Sequence, residues 1–291
     1  HAKRNVISGT PCLQLSGIMH QAKEGNCSVS DTSANMSSNI LFLELNQCLA
    51  CFSNQLAKQL AKGAHNVKRW CFHLDQDEVC TLETILGFLE TSIREASAAP
   101  ILIGHGIGGI LANTFAQRYP GLIKGVVLLS TDAITEYTWQ AQYHEIRKML
   151  PNAREDVLGH LSQLLTGHQC PGFLKATSGL LKKSLDEEYS LSSLMTSEEI
   201  PKCRKHTVPM LIINGDDDFI VDRNSNARWQ PFLKRGDRYV SISHGRHFMQ
   251  HTHFQDVSEA VNAFIEMTPD SAWLETEIKH MTHLWQSTQN G

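Results

Sequence analysis

The feature that most constrains this chain is its alternation of short apolar strands with amphipathic helices. Ile40–Leu45 (ILFLEL) is an apolar strand, and Phe52–Lys62 carries helical period with Gly63 as its stop. Val67–Leu74 reads as a strand and Leu82–Ala96 as an amphipathic helix that ends ahead of Pro100. Next come a strand at Ile101–Ile103, a helix at Gly108–Arg118 closed by Pro120, and a strand at Ile123–Ser130. Strands buried on both faces read as continuous Val/Ile/Leu runs, and strands separated by helices of about 10 to 15 residues build βαβ units. The expected fold class is α/β, with a mostly parallel central sheet flanked by helices.

The alternation stops at Thr131 and resumes at Val208. Between them lie only helical patterns (Tyr143–Leu150, Asp156–Leu165 and Gly179–Lys183) separated by polar gaps. A strand at Val208–Asn214, a helix around Ala227–Lys234, a strand at Tyr239–Ile242 and a helix at Phe254–Glu266 follow, then an amphipathic stretch at Trp273–Trp285. The chain therefore divides into a core at 40–131 and 207–291, a helical insertion at 132–206, and an opening stretch at 1–39. Within that opening, Asn26–Asn39 is rich in Ser and Asn without apolar period, which reads as an exposed loop.

Charge narrows the function. With 26 Lys+Arg against 30 Asp+Glu and a formal charge of −4, the chain lacks the basic footprint of a nucleic-acid binder. Its longest apolar runs, such as Gly125–Leu129, are too short to span a bilayer, so no membrane span is expected. Eight cysteines follow no repeating framework and read as idle thiols rather than a disulfide scaffold. A cytoplasmic location is the first expectation; because the sequence starts at His1, a cleaved targeting peptide stays open.

Three segments carry chemistry. Ile101–Gly109 (ILIGHGIGG) is a strand, a Gly-flanked turn and a helix start; Pro209–Asp222 (PMLIINGDDDFIVD) is a buried strand with an acidic turn; Ser243–Met249 (SHGRHFM) is a loop with histidine ahead of a helix. In that order they resemble the α/β-hydrolase fold, whose signature is a Gly-x-Ser-x-Gly nucleophile elbow, then an acid, then a histidine. Leu15–Gly25 (LSGIMHQAKEG) resembles the first hairpin of capped members, and the helical insertion falls where those proteins carry their cap. The resemblance implies relatives among esterases and carbon–carbon bond hydrolases. It implies Gly104 and Gly108 as the elbow glycines, His105 as the first variable residue, and Ile107 as an oxyanion-hole position through its N–H. Asp218 takes the place of the acid and His247 that of the base.

Gly106 stands where the nucleophile belongs. The elbow forces its central residue to positive φ, which glycine adopts without a Cβ penalty, so folding loses nothing. Acyl transfer loses the atom that would attack the carbonyl. Glu44-Leu45 occupies the place where family members often carry His-Gly, making Leu45 the second oxyanion-hole position, and a carboxylate there would repel a developing oxyanion. His73–Asp77 lacks the glycine usual in the next turn. These departures point to a non-hydrolytic pseudoenzyme that binds a small molecule in a pocket between cap and core, or a protein partner. Two alternatives stay open: an enzyme of altered chemistry with a His247–Asp218 dyad as general base, and an inactive serine-to-glycine form of a serine hydrolase.

No cofactor is expected. His244, His247, His251 and His253 crowd one segment, yet no Glu follows in the zincin pattern, so no metal site is assigned. Cys48-Leu-Ala-Cys51 follows a strand and opens a helix as redox motifs do, against the simpler reading of two ordinary thiols. Trp139, Tyr143, Met149 and Phe173 lie in the insertion, where this superfamily places ligand contacts.

Overall fold

The computed structural model describes residues 38–72, 81–151, 153–167, 170–187 and 202–268. The expected hairpin at Leu15–Gly25 and the helix at Trp273–Trp285 lie outside them, as does nearly all of the Ser/Asn-rich loop.

Among the described residues six strands form one sheet: β1 (Asn39–Glu44), β2 (Asn66–Cys71), β3 (Ile101–His105), β4 (Gly125–Leu129), β5 (Met210–Gly215) and β6 (Arg238–Ile242). Their order is β2-β1-β3-β4-β5-β6 and every pairing is parallel. Parallel strands need crossovers, and helices supply them: α1 (Asn54–Lys62), α2 (Leu82–Arg94) and α3 (Ile107–Arg118) in the first half. The second half adds α7 (Ser225–Trp229), α8 (Met249–Thr252) and α9 (Phe254–Met267).

The period of two divides each strand between two cores. Leu41, Leu43, Leu102, Leu128 and Ile212 face α2 and α3, meeting Leu86, Leu89 and Phe115. Ile40, Phe42, Ile103, Val127 and Ile213 face the other way, against Leu56 and Leu60 of α1 and Val257, Val261 and Phe264 of α9. The central strands are apolar on both faces for that reason.

Between β4 and β5 run α4 (Trp139–Met149), α5 (Arg154–Thr166) and α6 (Pro171–Glu187). Thr138 caps α4 by accepting the Ala141 N–H at 3.2 Å, and Gly167, at φ 72°, ends α5. The sequence pattern of five residues at Gly179–Lys183 proves to be the middle of a 17-residue helix. Gly172, Gly179 and the paired lysines blur its apolar stripe, while Pro171 at the first position and Leu181, fully buried, settle it. These helices form a third apolar cluster with Leu49, Phe52, Ile220, Val221 and Phe248. That cluster sits on the edge of the sheet where all six strands end, the edge at which ligands bind in open α/β sheets.

Candidate functional site

The turn from β3 into α3 is built on close backbone approach. A Cβ on Gly104 would stand 2.1 Å from the Gly108 carbonyl oxygen, and one on Gly108 would stand 2.6 Å from the Leu43 oxygen. Only glycine lets β1, β3 and α3 come together there. Gly106, at φ 51° and ψ −115°, makes the turn itself. Its N–H donates to the Leu129 carbonyl and its own carbonyl accepts from the Ile110 N–H, both at 3.0 Å. A Cβ on Gly106 would meet one atom within 4 Å, His247 Nε2 at 4.0 Å. Ile107 opens α3, so its N–H has no acceptor within the helix and sits at the positive end of the helix dipole.

Asp218 and His247 are brought together from the loops after β5 and β6. His247 Nδ1 lies 3.0 Å from Asp218 Oδ2, with 2% and 0% of the two side chains exposed. Asp218 Oδ1 accepts from the N–H groups of Ile220 (2.7 Å) and Val221 (3.2 Å). Burial pushes the Asp218 carboxyl up, but attraction and hydrogen bonding from His247 and those two donors outweigh it and hold it below the usual carboxylate range. With Asp218 ionised, Nδ1–H donates to it and Nε2 faces Gly106.

The His247 backbone is fixed as firmly as its ring. Its carbonyl accepts from Ser130 Oγ at 2.7 Å and lies 2.8 Å from His105 Nε2. Burial, reinforced by the neighbouring His247, lowers the His105 pKa to about 3, so the ring is neutral and Nε2–H donates. The next residue, Phe248, donates its N–H to the Leu165 carbonyl of α5 at 3.1 Å and stacks on Phe52 at 4.3 Å.

At the end of β1 burial sets the charge of the carboxyl. Glu44 is 8% exposed, and burial raises its pKa to about 7 against the opposing pull of Arg69 and Ser53. Near neutral pH the carboxyl is thus about half protonated, and its negative charge is full only at higher pH. Leu45, the second expected oxyanion-hole residue, is buried in the layer of Trp70 and Phe72. Glu44, Leu45, Gly106, Ile107 and His247 line one pocket, while Asp218 stands behind His247.

Other expected groups disperse. His244 is exposed beside Asp217, His251 stacks on Phe173, and His253 bonds Thr252. Among the described residues no three His, Cys, Asp or Glu side chains converge as a metal site. Cys48 and Cys51 lie on a 3-10 turn (Gln47–Ser53), and burial raises the Cys51 thiol, opposite to what a reactive thiolate needs. Of the four insertion residues, Trp139 lines the pocket, Tyr143 packs among the helices, Phe173 meets Phe52 edge-on, and Met149 is 74% exposed. Sequence reasoning missed Ser130, Gln140 and Gln250. The one available signal was position: Ser130 directly follows β4 at the edge that builds the site.

Comparison with solved structures decides the architecture. A thermophilic esterase superposes with a TM-score of 0.62 at 16% identity, over 79% of this chain and 90% of that one. This chain has the α/β-hydrolase fold. Among sequences, an uncharacterized protein of Nostoc sp. is 25% identical over 228 residues, 78% of this chain and 90% of that one. An uncharacterized protein of Synechocystis sp. is 27% identical over 215 residues, 74% of this chain and 84% of that one. No protein-family model matches the chain. Within the α/β-hydrolase fold, β3, the turn at Gly106 and α3 form the strand–turn–helix at the centre of the sheet.

Proposed function

We propose that this protein binds a small molecule over the end of its sheet and forms no acyl-enzyme. Residues 132–206 act as the cap, Gly106 occupies the nucleophile's position, and Asp218 and His247 persist as the acid and base. The observation that carries this reading is the 4.0 Å gap between His247 Nε2 and the place of a Cβ on Gly106. A side-chain hydroxyl there would lie within reach of the imidazole; glycine offers the base nothing to activate. Likeness to an esterase supplies the context, because it is the fold in which such a base serves a nucleophile. The test is ester and thioester hydrolysis by the parent and Gly106→Ser, with fluorophosphonate labelling of both. The parent is expected to be silent and unlabelled. Labelling or turnover by the parent overturns the reading, while turnover gained by the serine variant places Asp218, His247 and the Ile107 N–H in working order.

One observation favours a second reading. The Asp218–His247 pair is intact, buried and held at both ring and backbone, which is more order than a vestige needs. Such a pair can serve as general base toward water or an acidic C–H without any nucleophile. Activity lost in His247→Ala and indifferent to Gly106→Ala would establish that reading.

A further inference from the structure

Among the described residues, three buried side-chain oxygens on the pocket lack a hydrogen-bond donor: Glu44 Oε1, Gln140 Oε1 and Gln250 Oε1. Their residues are 8%, 8% and 1% exposed and come from three elements, the end of β1, the first turn of α4 and α8. A buried acceptor without a donor is destabilising, and folded chains keep few of them. Three lining one pocket mark a place that takes its donors from outside the chain.

The charge around them has one sign. Asp218 is held ionised behind His247, His105 is held neutral, and among the described residues no Lys or Arg lines the pocket. Arg69 Nη1 approaches Glu44 Oε1 at 3.6 Å, beyond hydrogen-bond range, and donates instead to the Ala50 carbonyl at 3.2 Å. Glu44 Oε1 thus has a cation nearby but accepts no hydrogen bond, Ser53 serving the carboxyl elsewhere. A carboxylate ligand would add repulsion. A neutral amide would satisfy the two glutamines and leave the Glu44 charge balanced only by Arg69 at 3.6 Å.

Resting on the ligand-binding reading above, we infer that the pocket takes a small organic cation bearing N–H donors. Its ammonium or guanidinium group sits against Glu44 and is completed by the side-chain carbonyls of Gln140 and Gln250. Charge-assisted bonds to a buried carboxylate are the stronger class of hydrogen bond, so Glu44 is the anchor and the glutamines set the number of donors.

The experiment is calorimetric titration and thermal shift on the full chain at pH 8 with n-butylamine, butylguanidine, tetramethylammonium and butyrate. The first two are expected to bind and raise Tm. Glu44→Gln is expected to weaken them at least about tenfold, and Gln250→Leu to weaken them by less. Tetramethylammonium has the charge without the N–H and is expected not to bind. Equal binding by tetramethylammonium, preference for butyrate, undiminished binding in Glu44→Gln, or no binding by either N–H cation overturns the inference. Ester turnover by the parent would overturn the non-hydrolytic reading alone and leave these titrations unchanged, so the two failures are distinguishable.

Discussion

The two ends of the pocket are held by opposite means. Where the loops after β5 and β6 meet, both Asp218 carboxylate oxygens and His247 Nδ1 have partners, and the His247 carbonyl has two. At the end of β1, Glu44 is equally buried, yet one oxygen has no donor and burial shifts its pKa the other way. Two carboxyls of similar burial therefore do opposite things to stability. The difference lies in donors: two backbone N–H groups and an imidazole for Asp218, a distant guanidinium and a hydroxyl for Glu44. A group that costs stability without structural return is a better marker of ligand chemistry than one that is fully bonded.

The largest expected effect tests the well-bonded end. Asp218→Ala strands the Ile220 and Val221 N–H groups and His247 Nδ1, at a cost of about 3 kcal/mol by denaturant unfolding at pH 7. Because the folded pKa of Asp218 is lowered, its contribution is full above the ordinary value of 3.8 and fades as pH falls through the folded value. The gap between parent and variant should close in strong acid. A gap that persists there would mean the loss is packing, and the comparison breaks.

Glu44→Gln should move the other way. Its folded pKa is raised from 4.5 to about 7, so the native state holds the proton longer and loses stability as pH climbs between those values. The variant escapes that loss. It should match the parent near pH 4 and exceed it by up to about 3 kcal/mol at pH 8. A variant less stable than the parent at pH 8 would show that the Arg69 contact outweighs burial.

Gly106→Ser probes the middle of the pocket. The serine meets no clash but inherits φ 51° and ψ −115°, so a loss of about 2 kcal/mol is expected with the fold retained. The smallest effect is that of Ser130→Ala, about 1 kcal/mol, since His105 still donates to the His247 carbonyl. A shift of the His247 ring resonances much larger than that loss suggests would make Ser130 a positioning residue for the base.

Much of this was readable from the amino-acid order. Ile101–Gly109 marks the β3 turn because glycines cluster where three backbones crowd, whereas Asp218 and His247 are implied only by the resemblance to the α/β-hydrolase fold, in the order of its acid and base. What escaped depends on distance rather than order. The clamp of His105 and Ser130 on the His247 carbonyl joins residues far apart in sequence, with no local signature. Glu44 was visible as an odd carboxyl at a strand end, but its protonation is set by what covers it. The insertion helix Pro171–Glu187 was under-read because its lysines and glycines hide a stripe that Leu181 reveals only once α5 lies beside it.

The backbone at Gly106 has a consequence for descent. A residue that makes this turn with no side chain suits the scaffold better than any nucleophile could, since only glycine is at ease there. Folding therefore never selects for a reagent at this position; it tilts mutation toward losing one. A lineage with this architecture keeps its chemistry only while each generation uses it, and once use lapses the fold outlives the reaction and is the steadier for the change.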